Sequence, residues 1–149
     1  MKKFEYMILL IFIVIGLSAC AESDSDGKTE ITFWHMSPVG SEGFREMRAI
    51  INTFNESQDD IVVLGTGFSF WDYWDKINIA ISSRTAPDLG FHTIDNMVVR
   101  AEAGVLHNLS ELIMSDLSDQ NIALDQFRQS QLDFLTYNSD LYALPLTAT

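Results

Sequence analysis

Cysteine occurs once in these 149 residues, and Lys and Arg number only 9 against 21 Asp and Glu, a formal net charge of -12. A single cysteine excludes a disulfide within the chain. So acidic a field repels phosphates instead of releasing their counterions, which argues against nucleic acid as a partner. His35, His92 and His107 are far apart, with no His-x-x-x-His spacing and no cysteine partner, so no metal site is expected. Gly65-Thr-Gly67 lacks the third glycine and the helix start of a dinucleotide-binding turn. There is no Walker pattern ending in Lys-Ser/Thr and no serine in a Gly-x-Ser-x-Gly elbow, so no cofactor or hydrolytic triad is indicated. The longest apolar run, Met7 to Gly16, falls short of the roughly 20 residues of a comfortable bilayer crossing. With 47% hydrophobic residues, however, the chain can bury enough surface to offset its conformational entropy.

What is present begins with that run. Lys2 and Lys3, an apolar stretch and then small residues compose a secretory signal peptide; a buried N-terminal helix or a signal anchor is the competing reading. Leu17-Ser-Ala-Cys20 resembles the lipobox of bacterial lipoproteins, which implies cleavage before Cys20 and diacylglycerol on its sulfur. The plainer alternative is a signal peptide with an incidental cysteine. The expected organisation is a leader at 1–19, a lipid-anchored polar tether at 20–29 and a folded body at 30–149. Lys2, Lys3 and Glu5 leave with the leader, so the remainder is one unit more acidic.

Along the body, Glu30-Ile-Thr-Phe-Trp34 reads as a strand. Ser41 is a plausible N-cap, and Phe44, Met47, Ile51 and Phe54 form one face of a helix that Asn55 ends. Ile61 to Leu64 reads as a strand buried on both faces, with Gly65-Thr-Gly67 opening the next loop. Asp72 could cap a second helix with Tyr73, Ile77, Ala80 and Ile81 as its stripe. Asp88 to Phe91 reads as a third strand, Asp95 as the cap of a third helix stopped by Gly104, and 124–135 as a fourth helix. Asn138-Ser-Asp140 turns into Leu141 to Leu144. The repeating order β-α-β-α-β-α with short connections predicts an α/β fold: an open, mostly parallel sheet with helices on both faces. Ligands of such sheets bind beyond the carboxyl ends of the strands, here loops 35–43, 65–72, 91–96 and the residues after 144.

Ile31-Thr-Phe-Trp-His35, Ile51-Asn-Thr-Phe-Asn55, Tyr73-Trp-Asp-Lys-Ile77, Ala86-Pro-Asp88, Ala103-Gly-Val-Leu106 with Leu109, and Leu141-Tyr-Ala-Leu-Pro145 follow in that order. Together they resemble the N-terminal part of bacterial extracellular solute-binding proteins of family 1, the sugar-binding lipoproteins of ABC importers. The resemblance implies a periplasmic-binding-protein-like (type II) lobe, monomeric, anchored outside the cytoplasmic membrane through Cys20, with ABC permease subunits as partners and a sugar or oligosaccharide as ligand. Family members carry two lobes over about three times this length. The chain is therefore expected to be an incomplete N-terminal lobe whose second lobe is missing.

Position and resemblance single out Trp34 and His35 at the end of the first strand, the indole to stack on a sugar ring and the imidazole to bond hydroxyls. Core packing for Trp34 and a solvated loop for His35 are the bland alternatives. Phe68-Ser-Phe-Trp-Asp72 is unusually aromatic for a loop, making Phe70, Trp71 and Asp72 candidates for a stacking platform, or simply a loop folded over a helix start. His92 and Asp95 follow the third strand, and a carboxylate suits vicinal hydroxyls, although Asp95 also suits an N-cap. The family often places a polar residue near Thr147 to Thr149 in the cleft. The function expected is capture of a sugar without catalysis. The rivals are a lipoprotein enzyme acting on cell-wall or polysaccharide glycans, with Asp72 and Asp95 as its carboxylates, and a truncated fragment that binds nothing alone.

Overall fold

A computed structural model describes residues 27–110, 112–113 and 124–146. The expected leader, Cys20 and Thr147 to Thr149 lie outside the described residues. Strand β1 (Thr29–His35) leads into helix α1 (Glu42–Ser57), strand β2 (Ile61–Gly67), helix α2 (Phe70–Ser83), strand β3 (Leu89–Gly90) and helix α3 (Ile94–Glu102). After a 3-10 turn at Leu124–Gln126 come a short helix α4 (Gln129–Phe134) and strands β4 (Thr136–Tyr137) and β5 (Asp140–Leu141).

The main sheet has the order β2-β1-β3. Both pairings are parallel, from Thr29 opposite Ile61 to His35 opposite Gly67, and with Phe33 and Trp34 opposite Leu89 and Gly90. Successive residues of a strand face opposite sides, so two glycines report where the helices lie. A Cβ on Gly65, which pairs with Phe33, would run into the end of Ile51 on α1. One on Gly90, which pairs with Trp34, would sit 2.8 Å from the Tyr73 hydroxyl on α2. Helices α1 and α2 therefore cover opposite faces, as the alternating order predicts. The α2 and α3 side is the better filled: Tyr73, Ile77, Ala80, Met97 and Ala101 are buried, whereas no residue of α1 is.

The structure corrects several local expectations. Gly65-Thr-Gly67 is strand rather than loop, because α1 and the Ser37 backbone press against that end of β2 and leave no room for side chains. Helix α1 runs two residues past Asn55, whose amide is used on β2 instead of ending the helix. Ser69, not Asp72, caps α2, and Thr93, not Asp95, precedes α3. The expected helix at 124–135 is split into a turn and the six residues of α4. Asn138 and Ser139, both with positive φ (50° and 72°), close β4 and β5 into a two-residue hairpin.

Candidate functional site

The carboxyl ends of β1, β2 and β3 deliver His35, Gly67 and Gly90 to one rim. Three short loops leave that rim: 36–41 into α1, 68–69 into α2 and 91–93 into α3. Aromatic rings gather at the second. Trp34, half-buried on the α2 face, lies 4.9 Å from Phe68, and Phe68 lies 6.3 Å from Tyr73. Contacts continue from Tyr73 to Trp74 at 5.2 Å, from Trp74 to Phe70 at 6.1 Å and from Phe70 to Trp71 at 5.1 Å. The ribbon thus passes without a break from the sheet to solvent, where the Trp71 ring is 77% exposed and Phe70 49%. Lys76 adds its ammonium 5.7 Å from the Phe68 ring centre.

Local chemistry explains why Phe70 and Trp71 are held outward. They occupy the first turn of α2, not a free loop. Ser69 accepts from the Asp72 amide at 3.4 Å and donates its hydroxyl to the Asp72 carboxylate at 2.6 Å, closing that turn on itself. The stripe of Tyr73, Ile77 and Ala80 faces the core. The two residues before Asp72 then point away from it. One carboxylate oxygen of Asp72 is thereby engaged, and Asp95 is exposed in the first turn of α3.

His35 is placed otherwise. It leaves β1 on the α1 face, opposite to Trp34, and is 1% exposed between Phe33 at 5.6 Å and Phe44 at 5.9 Å. Its Nδ1 is buried with no hydrogen-bond partner, and burial holds its pKa below 6.5. The structure brings together Trp34, Phe70, Trp71 and Asp72 through the ribbon, and sets His35 apart from them.

The third loop carries His92, whose ring is half-buried against α3. The guanidinium of Arg100 donates from Nη1 to His92 Nδ1 and from Nη2 to Asn78 at 2.8 Å, and lies 5.6 Å over the Trp74 ring. Tyr73 donates its hydroxyl to the Phe91 carbonyl at 2.8 Å, pinning the backbone of the same loop; burial raises its pKa to about 12. Burial and the neighbouring Arg100 charge push His92 down to about 4. Arg100, Asn78, Tyr73 and Trp74 were not among the site candidates. The available signal was a lone cation, Arg100, set between Met97 and Ala101 in an apolar stripe.

No family model and no curated protein matches the chain. Solved structures do. An ABC substrate-binding protein from Listeria monocytogenes in complex with cycloalternan is 25% identical with a TM-score of 0.65, over 76% of this chain and 28% of that one. An ABC transporter solute-binding protein from Thermotoga lettingae bound with α-D-tagatose is 27% identical, TM-score 0.66, over 79% and 29%. An extracellular solute-binding protein of family 1 from Alicyclobacillus acidocaldarius shares the fold at 19% identity and a TM-score of 0.65, over 79% and 28%. This chain therefore spans under a third of the length of the proteins it matches. The likeness nonetheless runs through three quarters of it, and in sequence and fold the chain resembles one lobe of an ABC-transporter solute-binding protein.

Proposed function

We propose that this chain forms a ligand-capturing lobe of a sugar- or oligosaccharide-binding lipoprotein that serves an ABC importer. The observation that carries the reading is the exposed Phe70–Trp71 pair, held at the carboxyl rim of a parallel sheet by the Ser69–Asp72 cap. The flat Trp71 indole at the rim fits the apolar face of a pyranose, with the Phe70 ring standing at 87° beside it as a wall. Two structures similar to this chain hold a cyclic oligosaccharide and a monosaccharide. In this reading Trp71 stacks on the ligand and the perpendicular Phe70 ring flanks it, His92 and the free oxygens of Asp72 and Asp95 bond its hydroxyls, and Trp34 backs the platform. Each buried hydroxyl left without a partner would cost about 1–3 kcal/mol, which is why polar groups must flank the rings. Cys20 would tether the lobe to the outer side of the cell membrane, within reach of the permease.

Binding without turnover is supported by Asp72: a carboxylate occupied by its own helix cap is a poor general acid or nucleophile. The test is tryptophan fluorescence titrated with monosaccharides and oligosaccharides, alongside peptides and polyamines, on this chain and on any longer form of the protein. A saturable response confined to sugars is expected. Trp71→Ala should weaken it at least about tenfold, roughly 1.4 kcal/mol, and leave the melting temperature unchanged, because the ring is 77% exposed. A response to peptides or polyamines and to no sugar would overturn the assignment.

A further inference from the structure

We propose that Arg100 is a positioning residue that fixes His92 as a neutral imidazole with its proton on Nε2, a constant hydrogen-bond donor toward neutral, hydroxyl-rich ligands. The ligand class rests on the sugar reading above; the state of the ring does not.

The argument starts from what an arginine can do. A guanidinium is protonated at every physiological pH and carries donors only, so the ring nitrogen it meets must offer a lone pair. Arg100 Nη1 meets His92 Nδ1, and in a neutral imidazole the single proton then belongs to Nε2. Nothing in the surroundings restores the charge. Among the described residues Arg100, from α3, is the charged group that acts on the ring; Tyr73, from α2, faces Arg100, and its hydroxyl is spent on the Phe91 carbonyl. Among the described residues no carboxylate pairs with Arg100, which is only 8% exposed and is held by Asn78 and the Trp74 face instead.

The absence of a counter-ion is what makes the device work. A carboxylate beside Arg100 would screen its charge, and the imidazole could then take up a proton as pH falls. An unscreened cation in contact with Nδ1 forbids the second positive charge. Among the described residues the one sealed, unpartnered side-chain polar atom is His35 Nδ1; His92 is half-buried on the loop after β3, and its Nε2 is not sealed in that way. It presents one N–H, suited to a hydroxyl or ring oxygen. A ligand ammonium meets there a donor and, behind it, a buried cation.

The test is two-dimensional ¹H–¹⁵N NMR of the imidazole nitrogens in the full chain labelled with ¹⁵N-histidine, His92 being assigned by His92→Gln. In the wild type His92 should keep Nε2 protonated and Nδ1 bare between about pH 5 and 8. In Arg100→Met both tautomers should appear and the ring should titrate at higher pH than in the wild type, though still below 6.5 because its burial remains. Should that variant not fold, Arg100→Lys, whose single ammonium cannot span both His92 and Asn78, should show the mixture. A wild-type ring that titrates near 6.5, a proton found on Nδ1, or a tautomer unmoved by either substitution would overturn the proposal. No ligand enters the measurement, so failure to bind sugars would sink the preceding reading and leave this one standing.

Discussion

Two imidazoles in this chain are kept neutral by unlike means. His35 lies among phenylalanine rings on the α1 face, where burial alone lowers its pKa; His92 has burial and the Arg100 charge acting together. In both, the unfolded chain takes up a proton before the folded one does. Their contribution to stability is therefore complete above the unfolded value of 6.5 and is lost as pH falls, for His92 down to about 4. Asp88 extends the trend further into acid. Its carboxylate accepts from the Thr32 amide at 2.8 Å and hydroxyl at 2.6 Å, which depresses its pKa below 3.8. Stability from that group is present above the unfolded value and disappears as the carboxylate protonates. Thermal melts should show a lower midpoint at pH 5 than at pH 7.5, and His92→Gln should reduce the difference. Equal midpoints in the wild type would contradict the assigned burial of both rings. The sequence identified these residues but not their surroundings. His35 and Trp34 are neighbours, and only the pairing of β1 with both flanking strands decides which face each one takes.

At the scale of elements, the free edge of β2 is closed by side chains instead of by another strand. Asn55 donates to the Val63 carbonyl at 3.0 Å and accepts from its amide at 2.8 Å. Gln58 repeats the pattern two residues back, donating to the Ile61 carbonyl at 2.6 Å and accepting from its amide at 2.7 Å. An edge strand with unpaired backbone groups invites pairing with other chains, and these two amides occupy those groups at Ile61 and Val63, the first half of the edge. Asn55→Ala should lower stability by about 1–3 kcal/mol and raise the rate of aggregation on mild heating, read by light scattering. Asn55→Asp, which keeps only the acceptor, should fall between. Gly67 tests the α1 face of the same strand. A Cβ there would meet the Ser37 carbonyl as well as Phe44 and His35, so Gly67→Ala should cost ~1–3 kcal/mol by denaturant unfolding. Strands β1 and β2 and helix α1 were readable because β-branched runs and the 3-4-3 spacing of Phe44, Met47, Ile51 and Phe54 are local signals. The strand character of Gly65 to Gly67 was not, since it arises from helix α1 pressing on the strand from a distant part of the chain. Ser41 caps α1 as expected, whereas the caps of α2 and α3 were misplaced by three and two residues for a similar reason: Ser69 and Asp72 are both good capping residues, and the backbone geometry picks the serine.

For the whole molecule, the order of elements was legible and the completeness of the packing was not. Large apolar side chains remain open on several elements, including Ile50 at 63% exposure, Leu89 at 53% and Leu64 at 45%. Alternation and periodicity mark such residues as inward-facing without saying what covers them. Charge acts across the same surface. Twenty-one acidic residues against nine basic ones repel one another, and Lys28–Asp59 at 3.2 Å is the single ion pair among the described residues. Screening should relieve that repulsion: the melting midpoint should rise between about 10 mM and 200 mM NaCl, as the Debye length falls from about 30 Å to below 10 Å. A midpoint that dropped with salt would mean that attractive pairs dominate.

The central place of β1 also governs when this chain can fold. The strand made first is the one with neighbours on both sides, and those neighbours begin at Ile61 and Leu89. Nothing downstream can pair with it until Ile61 to Gly67 has been made, and the three-stranded sheet cannot close before Gly90. Contacts so far apart in sequence form slowly, because the intervening loop must be closed before any of them is gained. A nascent chain of this design keeps its first strand without a partner until nearly half of it has been made.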